Sequence, residues 1–131
     1  MAGAEELEGI CKKITALDPG IRSAVVLNSR GHLEAGGMRK GLEPLEDQRH
    51  VEMMYVELAL RVRMRHEFDS ELGGVRFSMS YRDRVILLSF PLAEDGVLLA
   101  STEKDVDFGR IAFEILEIIG PLHGSDGAPR P

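Results

Sequence analysis

The stretch from Pro44 to Asp69, PLEDQRHVEMMYVELALRVRMRHEFD, most constrains what this chain can fold into. At about 100° per residue, Val51, Tyr55, Leu58 and Val62 fall in one narrow stripe, while Met53, Val56, Leu60 and Met64 fall close to the opposite side. Glu52 and Arg63 run along one flank between the stripes, and Glu57 and Arg61 along the other, at the spacing of an intrahelical ion pair. A helix that is apolar on opposite sides must be covered on both. One cover is the chain's own sheet; the other is a second protein molecule. The competing reading covers the second stripe with the loop Gly36 to Leu42 or with the C-terminal tail. Leaving four such side chains in water would forgo roughly 1.5 to 3 kcal/mol each, so some cover is expected.

The rest of the chain supplies that sheet. Glu5 to Leu17 is a helix with a single apolar stripe, ended by Asp18-Pro19-Gly20 because proline lacks an amide hydrogen and disfavours helical geometry before it. Ile21 to Leu27 is apolar on both pleat faces and reads as a central strand. The turn Asn28 to Gly31 leads to a short strand, His32 to Ala35, and Gly36, Gly37 and Gly41 then read as a connecting loop. The central helix opens with Pro44 in its first turn and with Glu46 and Asp47 at the positive end of its dipole. From Val75 to Tyr81 the pattern alternates, with Val75, Phe77, Met79 and Tyr81 on one face and Arg76, Ser78, Ser80 and Arg82 on the other. Val85 to Phe90 and Val97 to Ser101 are two further strands, and Asp107 to Ile119 is a final amphipathic helix stopped by Gly120-Pro121.

The order is therefore α-β-β-α-β-β-β-α. It predicts an α/β (α+β) domain over residues 1–122 with a five-stranded antiparallel sheet, two terminal helices on one face and the long central helix on the other. Residues 123–131, rich in glycine and proline, are expected to be a disordered tail.

At this point the chain resembles the roadblock/LC7 group of the profilin-like and longin-like folds, over roughly Glu5 to Gly120. The runs ALRVRMRHEFD (Ala59 to Asp69), FSMSYRDRVILLSFPL (Phe77 to Leu92) and STEKDVDFGRI (Ser101 to Ile111) resemble small archaeal proteins of unassigned function. The resemblance implies a homodimer, or a heterodimer with a related roadblock-like chain, in which the central helix and the neighbouring edge strand join two sheets into one. It also implies a platform for small GTPases or for motor or signalling complexes. By position, the dimer or partner interface would comprise Met53, Val56, Leu60, Arg63 and Met64 on the helix and Arg76, Ser78 and Ser80 on the strand.

The residues themselves offer little chemistry. Gly36 to Gly41 lacks the glycine-lysine-serine/threonine ending of a phosphate loop, and Glu43, Glu46 and Asp47 would repel an anion at the helix start. His32, His50 and His66 have no metal-ligand spacing, with His66 and Asp69 read on different sides of a helix as solvated residues. Cys11 lies in the apolar stripe of the first helix, which favours a buried, inert thiol. No serine sits at a strand-to-helix nucleophile elbow. No catalytic residue, cofactor or metal is therefore expected. Nucleic acid is disfavoured: the net charge is −6 and aromatic residues are 5% with no tryptophan, although Arg61, Arg63, Arg65, Arg76, Arg82 and Arg84 could form a basic patch. No apolar run is long enough to span a membrane and the N-terminus lacks a secretory pattern, so a cytoplasmic location is expected.

The leading expectation is a non-enzymatic dimeric scaffold or regulator, with a small GTPase among its partners. The alternative is a profilin- or PAS-like small-molecule sensor, which needs an uncovered pocket with polar groups at the sheet; the sequence offers few inward polar groups.

Overall fold

A computed structural model describes residues 3–122; the expected disordered tail lies outside the described residues. The elements are α1 (Ala4–Thr15), β1 (Ile21–Leu27), β2 (Leu33–Met38), α2 (Gln48–Arg65), the short α3 (Asp69–Leu72), β3 (Ser78–Tyr81), β4 (Ile86–Pro91), β5 (Val97–Thr102) and α4 (Phe108–Ile119). The five strands form one antiparallel sheet in the order β2-β1-β5-β4-β3, which leaves β2 and β3 at the edges.

Two cores follow from the pleat. Alternate side chains of a strand point to opposite faces, so Ala24, Val26, Ile86, Leu88, Phe90, Leu98 and Ala100 meet Leu7, Cys11 and Ile14 of α1 and Ile111, Ala112, Ile115 and Ile119 of α4. Their neighbours Val25, Leu27, Val97 and Leu99 meet Leu58 and Val62 of α2 on the other face. The two terminal helices thus share one face and the central helix takes the other.

Three elements differ in their bounds from the sequence reading. β2 runs through the glycines expected to be a loop, because Gly36 is what allows α1 to lie close on this edge. Its φ is +88°, and a Cβ there would sit 2.0 Å from the Ala24 carbonyl oxygen and 2.8 Å from the Cys11 sulfur. α2 begins at Gln48 rather than in the turn of Pro44, since Asp47 is its N-cap and accepts from the His50 amide at 2.9 Å. It also ends at Arg65, where the chain tightens into a 3₁₀ turn, His66–Phe68, before α3. β3 is shorter than Val75 to Tyr81; Arg76 precedes it and is not part of the sheet.

Candidate functional site

The inner stripe of α2 is the one that packs: Val51, Leu58, Ala59 and Val62 are buried and Tyr55 is half-buried. On the outer side Met53, Val56, Leu60 and Met64 are 48% to 61% exposed. Phe68 and Leu72 continue the four-residue interval past the helix end, and Leu72 is 80% exposed. Arg63 is exposed beside this stripe. On the other flank the Arg61 Nε–Glu57 Oε2 pair closes at 2.6 Å.

That flank looks toward β3. Arg65 Nη1 donates to Ser78 Oγ at 2.7 Å, and a groove of about 110 Å³ between helix and strand is lined by Glu57, Arg61, Ser78 and Ser80 among others. The edge strand is apolar on its opposite face. Met79 and Tyr81 are exposed there, Tyr81 lies 6.1 Å from Phe108 between ring centroids, and Lys104 Nζ sits 3.9 Å above the Tyr81 ring. Phe113 of α4, 64% exposed, meets Phe77 edge-on at 5.8 Å. Exposed apolar side chains therefore line β3 on the α4 side of the sheet, while charged and hydroxyl groups face it from the α2 side. Strand alternation puts Met79 and Tyr81 on this side but does not reach Phe113, which falls outside the apolar stripe of α4 and is placed at this edge by its proximity to Phe77.

Of the eight positions singled out in the sequence, Ser78 and Ser80 come together with the inner flank of α2 at the edge strand. Met53, Val56, Leu60, Arg63 and Met64 lie on the helix's outward side, and Arg76 is exposed ahead of β3.

A second concavity lies between the N-terminal half of α2 and the sheet. This open cleft of about 930 Å³ is floored by Val25, Leu87, Leu99, Ser23 and Ser101. The expectation of few inward polar groups does not hold here. Ser23 and Ser101 face each other across β1 and β5 with their hydroxyl oxygens 2.5 Å apart, and Arg22, Arg82 and Arg84 also line the cleft.

Titratable groups are perturbed for local reasons. Burial, helped by Glu8, pushes the Cys11 thiol up to about 11, which leaves it protonated and inert at neutral pH. Burial and then the Glu46 carboxylate raise Tyr55. His66, expected to be merely solvated, is held at the end of α2 by Asp69 at 2.7 Å from Nδ1 and Asp95 at 3.3 Å from Nε2. The 3₁₀ turn brings His66 and Asp69 to one side, and the hydrogen bond to Asp69 is the main cause of its raised pKa.

A family model described as a family of unknown function, DUF6659, matches residues 2–125. No curated protein matches the chain. Among solved structures, the gliding protein MglB from Thermus thermophilus is similar with a TM-score of 0.72 at 12% identity, covering 94% of this chain and 93% of that one. A roadblock/LC7 domain from Streptomyces avermitilis is similar with a TM-score of 0.65 at 16% identity, over 88% and 95% of the two chains. An MglB described as having a tetrameric arrangement gives 0.66 at 13% identity, over 92% and 94%. The fold is that of the roadblock/LC7 domain. Among the described residues no helix is long and apolar enough to cross a membrane.

Proposed function

The chain belongs to the DUF6659 family of unknown function, and we propose that it acts as a non-catalytic interaction module that self-associates through α2 and β3. The observation that carries this reading is the uncovered apolar stripe on the outer side of α2, with Leu60 and Met64 exposed, next to an edge strand whose α4 side carries the exposed Met79, Tyr81 and Phe113. Natural edge strands are normally kept short and charged against chance pairing. β3 is short and flanked by Arg76 and Arg82, yet its α4 side is apolar and exposed. Pairing β3 with its counterpart in a second copy, or in a related roadblock-like chain, continues the sheet across two chains and covers both apolar flanks. Ser78 and Ser80 lie at the junction, Arg63 and Arg76 form its polar rim, and Met53, Val56, Leu60 and Met64 supply its helical surface. The tetrameric arrangement of one MglB neighbour supports self-association in this fold. The assembled module serves as a scaffold or regulator in the cytoplasm, and a small GTPase is the class of partner brought by the roadblock resemblance.

The test is solution mass by light scattering after size exclusion, for wild type and for Leu60→Glu with Met64→Glu. A wild-type dimer that becomes a folded monomer on substitution supports the reading. A wild type that stays monomeric at high concentration and binds no related roadblock-like chain refutes self-association.

A further inference from the structure

The cleft beneath α2 has the size and make-up of a small-molecule site rather than of a packing defect. Ligand pockets run from about 300 to 1,000 Å³ and are mostly apolar with a few convergent polar groups; this one is about 930 Å³, with an apolar floor and a polar end. The polar end has an unmet demand. Ser23 is 9% exposed, and its hydroxyl and that of Ser101 bond only to each other among the described residues. Two hydroxyls bring two protons, and one bond between them uses one. The other proton, on the buried Ser23 or on the half-buried Ser101, has no protein acceptor among the described residues, and polar groups withdrawn from water almost always find one.

The charge around the cleft decides what kind of acceptor suits it. Arg22 is already held by Glu103 at 2.8 Å, and Glu57 by Arg61 at 2.6 Å. Arg82 and Arg84, on the β3–β4 turn, form no ion pair among the described residues, and neither do Glu46 and Asp83, which also line the cleft; Glu46 acts on Tyr55 of α2, and at the turn the two guanidiniums outnumber the Asp83 carboxylate. They lie at the same end of the sheet as the serines, because Leu87, three residues past Arg84, pairs with Ser101. The apolar end is walled by Met54, whose unbranched thioether adapts to irregular shapes. We propose that this cleft binds a small amphipathic carboxylate, its oxygens accepting from the serine hydroxyl and facing Arg82 and Arg84, its hydrocarbon body lying on Val25, Leu87 and Leu99 beneath α2. The inference is independent of self-association, since the cleft is formed within one chain.

The experiment is a titration of the full chain with decanoate, and separately with decan-1-ol, followed by amide chemical shifts. Decanoate is expected to shift the amides of Ser23, Val25 and Leu99 saturably. Arg82→Ala with Arg84→Ala is expected to weaken decanoate about tenfold and decanol less than twofold, and Ser101→Phe, which fills the floor, to abolish both. Should Ser101→Phe fail to fold, Ser23→Ala with Ser101→Ala takes its place, with decanoate weakened several-fold. Shifts that do not saturate, shifts confined to the outer stripe at Met53 and Leu60, or affinities unchanged by the arginine and serine substitutions would overturn the proposal.

Discussion

Arg39 ties together the corner between α1 and β1. Its guanidinium donates to the carbonyls of Thr15 at 2.5 Å and Asp18 at 2.8 Å from Nη2, and to that of Ile21 at 2.8 Å from Nε. The Thr15 carbonyl ends α1, where carbonyls lack helical partners and a cation complements the helix dipole; the Asp18 carbonyl also accepts from the Ile21 amide, and Ile21 begins β1. Arg39→Met keeps much of the stem and removes all three bonds. It is expected to lower unfolding free energy by about 2 kcal/mol, the range of hydrogen bonds to a charged donor, read as a reduced urea midpoint with an unchanged slope. His66 works at the other end of the molecule, where Asp95 sits in the β4–β5 turn. Only the imidazolium donates from both ring nitrogens, and the folded-state pKa is raised above 6.5. The folded state therefore holds the proton more tightly than the unfolded chain. The resulting stability is fully present below pH 6.5 and is lost as pH rises through the folded pKa. The groups are roughly half exposed, so the effect is expected to stay under about 1 kcal/mol. Urea unfolding at pH 5.5 and 8.5 should show a decline in wild type that His66→Gln lacks.

At the scale of elements, the legible parts were those whose pattern is set by burial alone. α1, β1, β4, β5 and α4 announce themselves by apolar period, and β1 is found at Ile21–Leu27. What the pattern could not show was close backbone approach. Gly36 and Gly37 both look like loop glycines, yet both lie in β2, and at Gly36 the Cys11 side chain of α1 comes so close that no Cβ would fit. Gly36→Ala, at a φ of +88° and against the Ala24 carbonyl, should cost at least about 2 kcal/mol, counting left-handed strain and displacement of β1. In an expressed variant this would appear as a lowered melting temperature with α1 fraying first in hydrogen exchange. The two-faced character of α2 was legible in full, because opposed apolar stripes leave no other reading. The α4 side of the β3 edge was legible only in part: Met79 and Tyr81 alternate along the strand, but Phe113 comes from α4 and nothing in the sequence brings it there. Phe113→Asp removes an exposed apolar side chain without opening the core, so it should leave monomer stability within about 0.5 kcal/mol. If β3 pairs between chains, the same substitution should weaken association at least tenfold by analytical ultracentrifugation. Unchanged association would confine the contact to the α2 side.

For the whole molecule, the two sides of the sheet are unequally finished. Toward α1 and α4 the core contains Phe90, Ile14, Ile21, Ile86, Leu88, Leu98, Ile111, Ile115 and Ile119, all fully buried. Toward α2 it consists of six buried residues, with a cleft beside them and an apolar stripe on the helix's outer side. A monomer built this way relies on α2 for one core while α2 itself is held by few contacts, so α2 should be the first element to open. Association that covers α2 and β3 adds its binding free energy to the stability of the folded chain, and unfolding then becomes dependent on concentration. The expected outcome is a melting temperature that rises by several degrees between about 1 and 100 µM in wild type. In Leu60→Glu with Met64→Glu it should stay constant, with hydrogen exchange in α2 faster than in α4. A wild-type melting temperature independent of concentration, with α2 as protected as α4, would mean that α2 is stabilised within the chain and that its outer stripe is no interface.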